Sequence, residues 1–114
     1  MNISPNFAVI YRFYLEDSKE EEYISNWKVV ADYFTQQRGA IGSSLHKTNQ
    51  GYWLAYSRWP NKQTRDASWS KDNIKEDLPE KIKNAIANMK NCTDLTMEEF
   101  PEICMNVIEQ TASN

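Results

Sequence analysis

Residues 39–60 read GAIGSSLHKTNQGYWLAYSRWP, and the fold turns on how this stretch pairs with itself. Residues 40–48 and 52–59 form two extended runs, and Asn49-Gln50-Gly51 between them is a hairpin signal ending in glycine. Alternation places Trp53, Ala55, Ser57 and Trp59 on one face of the second run, with Tyr52, Leu54, Tyr56 and Arg58 on the other. Both faces carry large apolar groups, so both are expected to be covered. In the first run Ile41, Ser43 and Leu45 share one face, while Gly42, Ser44 and His46 share the other.

Upstream, residues 7–15 (FAVIYRFYL) are aromatic and β-branched without a breaker, which predicts a strand with Phe7, Val9, Tyr11 and Phe13 on one side. Ser18 and Glu21 make an S-x-x-E capping box, and Tyr23, Ile24, Trp27, Val30, Ala31 and Phe34 then recur at spacings of three and four. A helix is expected here, with Glu20-Glu21-Glu22 in its favourable first turn and Gly39 as its stop. Downstream of the hairpin, Pro60 breaks the strand and Asn61 can cap a short helix running to about Trp69. Asp77-Leu78-Pro79 opens another, with Leu78, Ile82, Ala85, Ile86 and Met89 along one side. Residues 103–108 alternate as a fourth strand.

The order is β-α-β-β-α-β with a broken second helical element. It predicts an α+β, ferredoxin-like fold, in which a four-stranded antiparallel sheet carries its helices on one face. Residues 1–114 read as one domain, with no repeat, linker or low-complexity tract. The face without helices needs cover, and a homodimer packed sheet to sheet supplies it.

Composition narrows the function classes. A net charge of -3 offers no basic field for nucleic acid, and no run approaches the roughly 18 apolar residues of a membrane span. The start, Met1-Asn2-Ile3-Ser4-Pro5, lacks the basic and apolar regions of a signal peptide, so a soluble, cytoplasmic protein is expected, with Cys92 and Cys104 as reduced thiols. Gly-rich phosphate loops, G-x-S-x-G, H-E-x-x-H and Cys/His clusters are absent from the sequence. No metal is called for. The only histidine, His46, has Ser44 two residues away on the same strand and no carboxylate identified to orient its ring. It reads as a dimer-interface or hydrogen-bonded structural residue.

What remains is an aromatic load of four Trp, six Tyr and four Phe. Tyr11, Trp27, Trp53, Trp59 and Trp69 are expected to line the space between helices and sheet. With the polar tips of Tyr11, Ser57 and Arg65, that cleft suits a flat, small aromatic ligand: stacking provides affinity and the polar groups fix orientation.

Phe7 to Trp27, the segment Gly39-Ala-Ile-Gly-Ser-Ser-Leu-His-Lys47 and the segment Trp53-Leu-Ala-Tyr-Ser-Arg-Trp-Pro60 together resemble the antibiotic biosynthesis monooxygenase (ABM) family of dimeric α/β barrels. The likeness covers residues 5–70. It implies a ferredoxin-like sheet that pairs with a second copy into a barrel, which agrees with the two-faced strands. Members include cofactor-independent oxygenases that turn aromatic phenols into quinones, haem-degrading enzymes and quinol-handling proteins, so the family indicates fold better than function. The haem-degrading branch uses an Asn, a Trp and a ligating His, and the positions that match are Tyr11, Trp69 and the neighbourhood of Pro79-Glu80. Only the tryptophan is present, and haem cleavage is not expected. The quinone-forming oxygenases bind a phenolate with Asn, Trp, Tyr and Arg side chains; Tyr11, Trp69 and Arg65 are the corresponding kinds of group here. The expectation is a cofactor-independent monooxygenase acting on a small phenolic substrate. Tyr11, Trp69 and Arg65 are its catalytic candidates, and Trp27, Trp53, Ser57 and Trp59 its substrate-binding ones. The alternative is a non-catalytic small-molecule-binding barrel.

Overall fold

The structure, a computed structural model, describes residues 6–68 and 78–109. Strand β1 is Phe7–Phe13, helix α1 Glu20–Gln37, strand β2 Gly42–Lys47, strand β3 Trp53–Trp59, helix α2 Lys62–Ser68, helix α3 Glu80–Cys92 and strand β4 Ile103–Asn106. The four strands form one antiparallel sheet in the order β2-β3-β1-β4. This is the expected ferredoxin-like α+β arrangement, with the broken second helical element resolved into α2 and α3. Among the described residues no helix is long and apolar enough to cross a membrane.

Register decides which side chains meet. Tyr11 stands opposite Ala55 and Val9 opposite Ser57. On the other flank of β3, Leu45 stands opposite Ala55 and Ser43 opposite Ser57. These residues share the helix-facing side with Phe7, Trp53 and Trp59. There Phe7, Val9, Val30, Phe34, Trp59, Leu78, Ile82 and Ala85 form the main core, and Leu15, Tyr23, Trp53 and Cys92 form a second cluster beside it. The apolar stripe expected on α1 is therefore real in part: Tyr23, Val30 and Phe34 are buried, whereas Ile24 is exposed.

Two local expectations change. Ser18 does not cap α1: it lies in a 3-10 turn, Asp17–Lys19, and the helix begins at Glu20 with no side-chain cap. The turn absorbs the residues that the capping box would have used, and the acidic run still occupies the first helical turn. The fourth strand is also shorter than 103–108 and mostly exposed, as befits an edge strand.

The Asn61 cap does form, its Oδ1 accepting the Thr64 amide at 2.7 Å. Gly39, with φ +88°, ends the turn after α1, and a Cβ there would lie 3.0 Å from Thr64 Cγ2. Ser68 donates to the Arg38 carbonyl at 2.9 Å. The start and the end of α2 are thus seated against the end of α1, and this fixes where Arg65 enters the interior.

By alternation, the helix-free side of the sheet presents Ile10, Leu54, Tyr56 and Arg58 in its middle. The chain covers one end of that side itself. Phe100 packs against Tyr14 and Tyr52 with ring centroids 5.8 and 5.2 Å away, and the Arg12 guanidinium lies 4.6 Å from the Phe100 ring centre.

Candidate functional site

Helix α1 does not close onto the β2–β3 half of the sheet. Beneath it lies a cleft of about 240 Å³, lined by Tyr11, Phe13, Tyr23, Trp27, Val30, Ala31, Phe34, Ala40, Ser43, Ala55, Tyr56, Ser57, Trp59 and Met89. The wall is almost wholly apolar. Ser43 is exposed on β2 and Trp27 and Ala31 are half-buried on α1, so the mouth lies between these two elements.

Trp59 is 4% exposed and packs edge-on to Phe34, with centroids 6.4 Å apart. Its Nε1 donates to the Ser57 Oγ at 3.1 Å, leaving the serine hydrogen free to turn toward a ligand. Ser43, absent from the sequence-based candidates, also lines the cleft; its register opposite Ser57 is the signal that a single sequence does not carry.

The second polar point is Tyr11, near which three elements converge. Arg65, buried on α2, donates through Nη2 to the Tyr11 hydroxyl at 2.9 Å and to both Glu102 carboxylate oxygens at 2.9 and 2.7 Å. Its Nη1 reaches Asp66 at 3.3 Å, Asp66 pairs with Lys62 at 2.7 Å, and the Cys104 thiol donates to Glu102 at 3.3 Å. Burial would lower the Arg65 pKa, but its bonds to Glu102 and Tyr11 outweigh this and hold it above its ordinary value. Burial likewise favours a protonated Glu102, yet the bonds from Arg65 and Cys104 prevail and hold the carboxyl below its ordinary value. At Tyr11 burial wins over the Arg65 contact, and the phenol is pushed up. Tyr23 is pushed up by burial as well.

The structure therefore brings Tyr11, Arg65, Trp27, Ser57 and Trp59 to one cleft or its edge, whereas Trp53 sits in the neighbouring cluster and is not part of the cleft wall. Trp69 lies outside the described residues. His46 is exposed, 2.8 Å from Ser44 Oγ, on the helix-free face of β2 and away from the cleft. Among the described residues no three of His, Cys, Asp and Glu gather closely enough to hold a metal.

No family profile and no curated protein sequence matches the chain. Solved structures do. A candidate antibiotic biosynthesis monooxygenase from Chloroflexus aurantiacus superposes with a TM-score of 0.67 at 12% identity, over 94% of this chain and 97% of its own. A mutant of SnoaB, a cofactor-independent oxygenase from Streptomyces nogalater, gives 0.60 at 12% identity over 96% and 97%. The chain has the ABM fold. A conserved protein from Methanosarcina mazei with no stated activity matches equally well, at a TM-score of 0.65 and 14% identity over 89% and 91% of the two chains. The ABM fold thus accounts for the sheet and its helices, while the cleft has to be read from its own side chains.

Proposed function

We propose that the chain is one subunit of a homodimeric barrel that binds a small aromatic molecule in the α1–sheet cleft and, as a cofactor-independent monooxygenase, lets it react with O₂. The observation that carries this reading is the cleft itself, an open, apolar space walled by Trp27, Phe34 and Trp59, with Tyr11 and Ser57 among its lining residues. A cavity of about 150 Å³ holds a benzene, so about 240 Å³ suits one substituted ring or two fused rings. The likeness to SnoaB supports the choice of reaction class.

Mechanistically, a bound anthrone-type phenol gives up a methylene proton to solvent at the cleft mouth, to be returned in the water formed, and its electron-rich anion reduces O₂ directly. A ring methylene becomes a carbonyl, one oxygen atom enters it, and the two hydrogens leave with the other oxygen as water, so no outside reductant is consumed. Tyr11, held by Arg65, donates to the ligand oxygen, and the apolar wall excludes water from the reactive anion. Trp69 keeps its place as the third catalytic candidate, and Trp27, Ser57 and Trp59 position the ring.

Oxygen uptake by the purified protein with anthrone or a naphthalenediol is the test. Consumption above the uncatalysed rate, with one O₂ per carbonyl formed from anthrone, is expected. Binding of the same compounds without excess uptake would instead support the non-catalytic barrel. For the assembly, light scattering should return twice 13.4 kDa, since Ile10, Leu54 and Tyr56 leave a half-exposed apolar strip on the helix-free face; a monomer at micromolar concentration would refute the dimer.

A further inference from the structure

Glu102 stands outside every candidate set read from the sequence, yet it holds the interior cation of the site. Ile10 pairs with Ile103, so Tyr11 and Glu102 are the next positions along their strands and lie side by side. Arg65 enters between them from α2, and its Nη2 serves both. One consequence concerns charge. Arg65 and Lys62 are balanced by Glu102 and Asp66, so the group beside the cleft is neutral as a whole.

The other consequence concerns hydrogens. A phenol has one donor and two acceptor sites, and a guanidinium only donates. Arg65 therefore occupies an acceptor site of Tyr11, and among the described residues no acceptor takes the Tyr11 hydrogen. The titratable groups around Tyr11 are Arg65 and Asp66 from α2, Glu102 and Cys104 from the β4 side, and Tyr23, which lines the same cleft from α1. The helix-facing residues of β3 are Trp53, Ala55, Ser57 and Trp59, none of which titrates.

We propose that Glu102 is the positioning residue of this site: by neutralising and fixing Arg65 it leaves Tyr11 as a single outward donor, so the cleft selects a neutral aromatic bearing a carbonyl or hydroxyl oxygen over an aromatic carboxylate. The selectivity rests on the cleft being the binding site proposed above. The arrangement of Tyr11, Arg65 and Glu102 does not.

Glu102→Gln tests it while keeping the side chain's size. In the variant the Arg65 charge is no longer balanced beside Tyr11. The Tyr11 titration midpoint, followed by NMR of ring-labelled tyrosine and assigned with Tyr11→Phe, should fall by about one pH unit. The preference for 2-naphthol over 2-naphthoate at neutral pH should drop about tenfold, because the unbalanced cation now attracts the carboxylate. Glu102→Asp should restore a good part of both, and circular dichroism checks that each variant is folded. An unchanged Tyr11 midpoint in folded Glu102→Gln overturns the proposal, as does an unchanged naphthol-to-naphthoate ratio. If the unmodified protein binds neither compound, the cleft reading and the selectivity fall together, and the Tyr11 midpoint still decides whether Glu102 governs Arg65.

Discussion

Trp59→Ala is expected to lower the unfolding free energy by about 3–5 kcal/mol and to abolish ligand binding. The residue is 4% exposed, belongs to the main core with Phe7, Val9 and Phe34, and forms part of the cleft wall. Removing the indole loses its transfer free energy and its edge contact with Phe34, and leaves the Ser57 hydroxyl without its donor. The hole also merges with a cleft that is already open, so the surroundings gain little by collapsing into it. Trp53→Ala is the internal comparison. Trp53 is 6% exposed and packs with Leu15, Tyr23 and Cys92, and its loss should cost a similar about 3–5 kcal/mol. It is not part of the cleft wall and meets it only through neighbours such as Tyr23, so a folded Trp53→Ala protein should lose far less affinity than Trp59→Ala. Urea unfolding and ligand titration of the two variants separate the roles. Equal loss of affinity in both would mean that the cleft walled by Trp59 is not where the ligand sits.

The contrast between these tryptophans shows what a single sequence carries. Alternation assigns both to the helix-facing side of β3, and both are buried there. Six positions of strand separate them, about 20 Å of chain, and the cleft wall includes Trp59 but not Trp53. Which one depends on where α1 lies over the sheet, and that is set by its packing against α3 and the core, not by any local pattern. The same holds for Glu102. It follows Pro101 in a stretch without periodicity, and it meets Arg65, 37 residues away, only because β4 pairs with β1 in one particular register. Asn61, by contrast, was legible, since a cap acts on an amide three residues on and needs no tertiary context. Ser18 has the same local signature and fails because the chain entering α1 takes a 3-10 turn. The order of elements along the chain, the faces and the apolar side of α3 follow from patterns of two and of three to four residues. The site follows from register and helix placement, which those patterns leave open.

Filling the cleft should have the opposite effect on stability and the same effect on binding. Ala31 lies half-buried on α1 and lines the cleft from above, facing a wall that is almost wholly apolar. In Ala31→Phe a ring can hang from the helix into space that the native chain leaves open, beside Val30 and Phe34. The added apolar burial is offset in part by the lower helix propensity of Phe. A net gain of about 0.5–2 kcal/mol is expected, of the size seen for cavity-filling changes. Ligand affinity should fall by at least about tenfold, because a ring-sized part of the cleft is gone and the remainder no longer holds a second ring. Oxygen uptake should fall with it, while the Tyr11–Arg65–Glu102 contacts stay intact. Thermal melting, ligand titration and oxygen-electrode rates on one preparation measure all three. A stabilised variant that binds and turns over like the original protein would place the chemistry somewhere other than under α1, whereas a variant that is stabilised and silent ties binding and reaction to one space.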